Sequence, residues 1–297
     1  MGAHRHVAFG LLWDSDVALE QFAAIESDGR PADIVVHEVA GPLPPRAQIV
    51  GFDGASLCHD GIRFWVNDEL VFDFYSPDRV HWLRGAGWTG RFPALFYGTV
   101  TALLLAWRGA IPIHGSAVEL DGRAFLICGP SGAGKSTLAA ALVASGRARL
   151  IADDLSALAP SPGGHAMLHA GRPTIRLFPA TASNMPANCT VTTEDGMDKV
   201  LVTPPRVAPL TPIPLAATLI LGADARSMPI WRRGELLDAQ LFRPRWMRRI
   251  PGWKARFKRL HDIATNLPML SIDEAAIRSG EAFRARATEV LAHIAEY

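Results

Sequence analysis

The sequence predicts an α/β protein with a small β-rich module ahead of its main domain. Two observations indicate the α/β class: a glycine-rich loop joins a short apolar run to an Ala/Leu-rich segment, and a second apolar run follows one helix later. A third observation is the set of short alternating runs near the N-terminus, which is typical of strands. We therefore expect a β-rich module over residues 1–88 and an α/β domain over residues 89–297.

The N-terminal module contains two clear strand patterns. Residues 32–39 alternate between apolar and polar side chains, and residues 62–74 read as two strands around a polar turn at Asn67-Asp68. No chemistry is expected here, because the histidines and the cysteine of the module lack the spacing of a metal site. These residues are His4, His6, His37, Cys58 and His59.

Residues 92–107 are predicted to form a buried helix, with Pro93 in its first turn. The run is too short to cross a bilayer and is interrupted by polar side chains. Residues 1–13 lack the small-residue cleavage site of a secretory signal. Three scattered cysteines suit a reducing compartment, so we expect a soluble cytoplasmic protein. The net charge of +1 argues against nucleic acid or an anionic membrane as partner.

A hairpin is predicted next, with a strand from residue 111, a turn at Asp121-Gly122 and a second strand over residues 123–128. His114 lies in the first strand of this hairpin, one strand before the strand that leads into the glycine-rich loop. It could reach a terminal phosphate or an aspartate, although a lone histidine at the start of a strand is more often structural.

The glycine-rich loop matches the phosphate-binding pattern G-x-x-x-x-G-K-[ST] without a mismatch. Its glycines allow the backbone to approach a polyphosphate, and the N-terminus of the following helix, over residues 138–146, points at the anion. Lys135 would contact the terminal phosphates and Ser136 would ligate Mg²⁺. The predicted ATP-binding residues are Gly129, Ser131, Gly132, Ala133, Gly134, Lys135, Ser136 and Thr137.

Two adjacent carboxylates, Asp153 and Asp154, end the apolar run that begins at Arg149. A carboxylate at the end of a strand beside a phosphate loop is a typical Mg²⁺ position. One of the pair could hold the metal and the other could accept the proton of an attacking hydroxyl. Neighbours in a strand point to opposite faces, so a bend is needed to aim both at one site. Either aspartate could instead cap a helix or turn.

The remaining sequence is mostly structural. Ser161 to Gly164 predict a turn, residues 180–214 a loop, residues 215–222 a core strand, and residues 272–297 one or two amphipathic helices. Residues 242–259 interleave basic and aromatic side chains. They could form a docking face for a peptide, or a solvated helix whose aromatic rings pack on the core, and we favour the second reading.

These motifs together resemble the catalytic domain of the HPr serine kinase/phosphorylase family. The resemblance covers residues 95–220 and is closest to the shorter HPr-kinase-like proteins of lasso-peptide gene clusters, which have counterparts of residues 113–118 and 171–179. It implies a phosphate-loop kinase core like the C-terminal domain of HPr kinases, of the PEP-carboxykinase-like type, and a homo-oligomer. By the same resemblance Asp153 is the general base, Asp154 supports the metal and His114 lies near the transferred phosphate.

The implied activity is transfer of phosphate from ATP, with Mg²⁺, to a peptide serine, such as the C-terminal serine of a lasso precursor. One departure is the absence of the Glu-Val-Arg-Gly signature that HPr kinases carry after the aspartates, which weakens the case for HPr as substrate. Several charged residues could replace it. The candidates are Arg172, Arg176, Glu194, Asp195, Asp198 and Lys199.

Other functions fit the same loop. The chain could be an HPr-type regulatory kinase, a small-molecule kinase, or a nucleotide-sensing module without catalysis. A transporter or motor ATPase would need a signature helix, and the interval between Thr137 and Asp153 has no room for one.

Overall fold

The computed structural model describes residues 4–41, 43–52, 54–58, 60–66, 69–85, 92–159, 166–193, 197–225, 227–273 and 282–295. The chain is mixed α/β with several sheets and divides into two compact units, Met1–Tyr97 and Gly98–Tyr297. Several sequence predictions lie outside the described residues. They are the boundary between residues 88 and 89, the turns at Asn67-Asp68 and at residues 161–164, and residues His59, Glu194 and Asp195.

The first unit is built on one sheet, which has nine strands among the described residues, in the order β3-β1-β2-β4-β9-β8-β7-β6-β5. The strands predicted within residues 32–39 and 62–74 are confirmed. The neighbours β2, β4 and β9 are parallel, and the other pairs are antiparallel. The strands are β1 (His4–Ala8), β2 (Leu11–Ser15), β3 (Ala23–Ala24), β4 (Ile34–Glu38), β5 (Gln48–Phe52), β6 (Ala55–Cys58), β7 (Gly61–Val66), β8 (Glu69–Ser76) and β9 (Arg79–Trp82).

Aromatic side chains form the core of this unit. Trp13 contacts Phe22 with ring centroids 5.0 Å apart, and Phe92 contacts Phe96 at 4.8 Å. The buried Asp73 carboxylate is within ion-pair distance of the guanidinium groups of Arg46 and Arg63. Among the described residues of this unit, no group of three or more His, Cys, Asp or Glu side chains could hold a metal ion.

The second unit contains the glycine-rich loop. Its strands are β10 (Ile111–Ile113), β11 (Ser116–Leu120), β12 (Arg123–Cys128), β13 (Arg149–Ala152), β14 (Ser156–Ala159), β15 (Met167–Leu168), β16 (Ile175–Leu177), β17 (Thr190–Thr193), β18 (Val200–Thr203), β19 (Ile213–Leu221) and β20 (Met269–Ile272). Its helices are α1 (Thr101–Trp107), which follows a π-helical turn (Phe96–Val100), α2 (Lys135–Ala144), α3 (Pro179–Ala182), α4 (Ile230–Asp238), α5 (Pro244–Met247), α6 (Trp253–Asn266) and α7 (Ala282–Ile294).

The main sheet of this unit places four strand ends at one edge. Strand β12 is antiparallel to β11, which is antiparallel to β13, and β12 is parallel to β19, which is parallel to β20. Strands β12, β13, β19 and β20 therefore run in the same direction. Ligand sites of α/β sheets form outside the carboxyl ends of such strands, so this edge is the place to look for function.

Both faces of the sheet are covered. Phe125 and Ile127 of β12 belong to the core cluster that includes α2 and α7, while Leu126 and Cys128 belong to the cluster that includes residues of α4 and α6. This alternation follows from the two-residue period of a strand. Cys128 has no exposed surface and is part of this core.

Two sequence predictions need revision. Residues 180–214 were predicted as a loop, but strands β17 and β18 form there and pair with each other. Their threonines and valines are β-branched, and the neighbouring prolines concealed that signal. In the basic-aromatic segment, Arg256 is buried and donates to the carbonyl oxygens of Ala106, Met247 and Ile250. Arg256 therefore serves the core, a role that neither reading of this segment gave to its basic residues.

Within the described residues, no helix has both the length and the apolar composition needed to span a membrane.

Candidate active site

The glycine-rich loop leads directly from β12 into α2. Gly129 has a φ of 153°, and a Cβ built there would lie 2.9 Å from both the Cβ and the carbonyl oxygen of Leu221. Gly134, at the N-cap of α2, has a φ of 97°. A side chain would be strained at both positions, so the backbone path through the loop depends on glycine.

The N-terminus of α2 is available to an anion. No side chain caps it, although the first N–H groups of a helix have no partner within the helix. Ser131 and Gly132 are exposed at the tip of the loop, whereas Ser136 and Thr137 in the first turn of α2 are half-buried and Ala133 is buried. The predicted nucleotide-binding residues therefore form one continuous turn around a helix N-terminus, which is the usual geometry of a phosphate site.

Lys135 lies inside this turn. Its Nζ donates to the carbonyl oxygens of Gly129 (2.9 Å) and Pro130 (3.0 Å), and only 8% of the residue is exposed. Burial lowers the pKa of the Lys135 ammonium group, while the nearby charges of Asp154 and Asp153 oppose that effect. Lys135 thus lies within electrostatic reach of the aspartate pair.

Gln240, which no sequence motif marks, links the loop to His114, just after β10. The side-chain oxygen of Gln240 accepts the backbone N–H of Gly129 at 3.1 Å, and its backbone oxygen accepts the N–H of His114 at 2.7 Å. Gln240 lies far along the chain and belongs to no motif, so only the fold could show that it contacts the loop.

Asp153 is the inner member of the aspartate pair. It is 1% exposed, and both of its carboxylate oxygens are occupied: Ser116 Oγ donates to one at 2.6 Å and the backbone N–H of Arg176 donates to the other at 2.9 Å. Ser116 is itself 1% exposed. This carboxylate is therefore fixed between β11, β13 and the segment that contains β16.

Asp154 is the outer member and turns away from the strand. Its φ of 67° lies in the left-handed region, which supplies the bend that two neighbouring aspartates require. His114 Nε2 is 3.4 Å from Asp154 Oδ1, and Arg172 Nη2 is 3.5 Å from Oδ2. Burial is the largest influence on this carboxyl and raises its pKa, but His114 and Arg172 outweigh it and lower the pKa to about 2.

Arg172 connects the two aspartates. It is 4% exposed, and the Nη2 that lies near Asp154 also donates to the backbone oxygen of Asp153 at 3.2 Å. Arg172 was one of several charged candidates in the sequence, and the structure brings it into the cluster. Lys199 lies farther out, with its Nζ 4.8 Å from the centre of the Phe178 ring.

The site combines two parts at one edge of the sheet. The loop follows β12, the aspartates follow β13, and His114 precedes β11, so all of them lie where β12 and β13 end. Asp154 and His114 are the open part of the cluster, with 32% and 44% of their side chains exposed. This arrangement can bind a polyphosphate in the loop and present a carboxylate and an imidazole to it.

A scan against protein-family models gave no match, and a search of curated proteins gave none either. Among solved structures, the Hpr(Ser) kinase/phosphatase from Coxiella burnetii is similar to part of this chain. The TM-score is 0.26 and the sequence identity 18%, over 40% of this chain and 69% of that one. At this TM-score the likeness carries no functional conclusion, which has to come from the geometry of the site.

Proposed function

We propose that this chain is an ATP-dependent phosphotransferase that transfers the γ-phosphoryl group to the hydroxyl of a peptide serine. One observation carries the proposal: the loop and the cluster of Asp154, His114 and Arg172 meet at the same edge of one sheet. A site that only senses a nucleotide needs the loop, but it does not need an ionised carboxylate and an exposed imidazole beside it.

The loop supports the binding half of the reaction. Its glycines and the uncapped N-terminus of α2 direct N–H groups toward the phosphates. Lys135 now donates to two loop carbonyls and would turn from them toward the phosphate oxygens. Since phosphoryl transfer depends mostly on positioning and charge neutralisation, this cradle would supply much of the rate.

The residues present also suit Mg²⁺. No group of three or more His, Cys, Asp or Glu side chains in the described ranges could hold a metal by itself. Mg²⁺ usually takes one or two protein oxygens and completes its shell with water and phosphate. Asp154, ionised and partly open, and Ser136 are the residues that would hold it. When bound, the ion supplies positive charge to the phosphate oxygens.

The proton of the attacking hydroxyl needs an acceptor. Asp153, the predicted base, already accepts two hydrogen bonds and has almost no exposed surface. His114 is open, and its Nε2 lies beside Asp154, which leaves Nδ1 as the acceptor. A histidine oriented by a carboxylate is a common base. We therefore propose that His114 takes the proton, and that Asp153 and Arg172 position the cluster.

Single-turnover kinetics with two variants tests this assignment. His114→Gln and Asp153→Asn should both bind ATP, but His114→Gln should lose about 10²-fold or more in rate and flatten the pH profile. Asp153→Asn should act mainly through altered positioning, with an unchanged pH profile. The reverse pattern would restore Asp153 as the base, and normal transfer by both variants would remove either residue from that role.

The identity of the acceptor is proposed from the sequence resemblance alone. The test is intact-mass analysis of a lasso precursor peptide after incubation with the protein, ATP and Mg²⁺, with HPr as a parallel acceptor. One added phosphate on the precursor, absent with Lys135→Ala, would support the peptide-kinase proposal. Phosphate on HPr alone would indicate a regulatory kinase, and nucleotide binding without transfer to either would favour a sensing module or a small-molecule acceptor.

A further inference from the structure

The second unit contains a cavity of about 670 Å³ between the end of β20 and α7, outside the cluster described above. Its volume is in the range of small-molecule sites, which run from about 300 to 1,000 Å³. Polar side chains from three segments line it. The polar lining residues are Asp224, Ser271, Asp273, Arg286, Glu289 and His293.

The cavity adjoins the phosphate loop along the same edge of the sheet. Gly129 packs so closely on Leu221 that a Cβ at the glycine would meet it, and Leu221 is the register partner of Ile272, which lines the cavity. Neighbouring strands lie about 4.8 Å apart, so two strand spacings separate the loop from the cavity by roughly 10 Å.

The order of the strands also indicates the direction in which a bound triphosphate would run along this edge. Across the edge the order is β13, β11, β12, β19 and β20. The aspartates and His114 lie on the β13 and β11 side of the loop, whereas the cavity lies on the β19 and β20 side. A triphosphate that runs along this edge with its reacting end at Asp154 has its other end on the side of β19 and β20.

The chemistry of the lining does not suit a phosphate. Three carboxylates, those of Asp224, Asp273 and Glu289, face one arginine and one histidine. Carboxylates at such a position accept hydrogen bonds from neutral donors, as an acidic residue does from ribose hydroxyls in other α/β sites. The amino group of a purine is a second donor of this kind.

The lining is also fixed in place. Arg286 is 8% exposed, donates through Nη2 to the backbone oxygen of Asp273 at 3.0 Å, and forms an ion pair with Glu289. Ser271 Oγ donates to Asp224 at 3.3 Å and accepts the N–H of Ala225 at 2.8 Å. The carboxylates of Asp224 and Glu289 therefore have protein partners, and Asp273 is held through its backbone oxygen, so the lining has the support that a ligand site requires.

We infer that this cavity binds the nucleoside end of ATP, with Asp224 and Asp273 accepting hydrogen bonds from the ribose hydroxyls. This inference rests on the proposed function, because it assigns the loop to the phosphates of the same nucleotide. It adds the position of the nucleoside and the residues that would distinguish a nucleotide from a bare polyphosphate.

The test compares ATP with inorganic tripolyphosphate, which has the phosphates without the nucleoside. Ala292 is exposed and lines the cavity, so Ala292→Trp should occlude it without disturbing the core. Ala285, an exposed alanine of the same helix that does not line the cavity, provides the matched control Ala285→Trp. Dissociation constants are measured by calorimetry for wild type and both variants.

We expect Ala292→Trp to weaken ATP binding at least tenfold and to leave tripolyphosphate within about twofold of wild type, with Ala285→Trp unchanged for both. Asp273→Asn should weaken ATP more than 2′,3′-dideoxy-ATP. Unchanged ATP binding in Ala292→Trp, an equal loss for both ligands, or an effect confined to the KM of the peptide acceptor would overturn the inference. Two other results would refute the proposed function itself and not only the role of the cavity: no binding of either ligand by wild type, or normal binding of tripolyphosphate by Lys135→Ala.

Discussion

The hydrogen bond between Ser116 and Asp153 provides a direct test of how the site is held together. Ser116→Ala removes the donor to one oxygen of a carboxylate that is 1% exposed. Both side chains are inaccessible to solvent, so water would not readily replace the lost donor. The cost of the substitution should therefore be that of a buried ionised acceptor with a missing partner.

The expected magnitude follows from the geometry. An Oγ–Oδ1 distance of 2.6 Å is in the short range of hydrogen bonds to an ionised acceptor, which contribute about 1.5–3 kcal/mol. The backbone N–H of Arg176 still serves the other oxygen, so Asp153 is left partly satisfied. We expect a loss of about 2 kcal/mol in the free energy of unfolding. At about 2–4 °C per kcal/mol for a unit of this size, Tm should fall by roughly 4–8 °C.

Urea unfolding of the whole chain measures this loss, and Ser183→Ala is the control. Ser183 is exposed and donates to the carbonyl oxygen of Ala180 at 3.0 Å, so the same chemical change there should cost less than about 0.5 kcal/mol. Combining Ser116→Ala with Asp153→Asn should cost clearly less than the sum of the two. A loss from Ser116→Ala no larger than the control, or strict additivity, would refute the reasoning.

Three further outcomes are expected. Gly129→Ala should lower the free energy of unfolding by about 1–3 kcal/mol, because Gly129 has a φ of 153° and a Cβ there would meet Leu221. Gly132 also has a positive φ, but a Cβ there would meet no atom within 4 Å, so Gly132→Ala should lower the free energy of unfolding by less; urea unfolding measures both. The pKa of Asp154 is lowered from its ordinary 3.8 to about 2, so its ionised carboxylate stabilises the fold above pH 3.8. That stabilisation is lost as the pH falls toward 2. The difference in the free energy of unfolding between wild type and Asp154→Asn should therefore shrink between pH 3.8 and pH 2. Burial raises the pKa of the Cys128 thiol to about 12, so iodoacetamide at pH 8 should leave it unmodified in the native protein, which peptide mass mapping would show.

The sequence predicted the parts of this molecule that depend on local signals. The Asp121-Gly122 turn is confirmed: both residues have positive φ, at 50° and 79°, and join β11 to β12 in the predicted hairpin. The helix after the loop is confirmed as well, since an Ala/Leu-rich run has strong helix propensity. The roles assigned to the site residues stay predictions until variants are measured.

Contacts made between distant segments were beyond prediction. Gln240 belongs to no motif, and the resemblance over residues 113–118 assigned no role to Ser116; each acquires its importance from a partner far along the chain. The environments of Asp153 and Asp154 could not be predicted either, although the two residues are adjacent in sequence. Asp153 is buried and accepts two hydrogen bonds, whereas the left-handed φ of Asp154 turns its side chain toward the exposed part of the site. Strands β17 and β18 were missed because proline-rich flanks outweighed their β-branched residues.

The parallel pairing of β12 with β19, and of β19 with β20, has a consequence for biosynthesis. Strand β12, which leads into the phosphate loop, follows its neighbour β11 in the hairpin, but its other neighbour, β19, comes from a much later segment. At about 5–20 residues per second, on the order of 10 s passes between synthesis of β12 and of β19. Until then the edge of β12 that will face β19 is unpaired, so the nascent chain is exposed to non-native strand pairing during that interval.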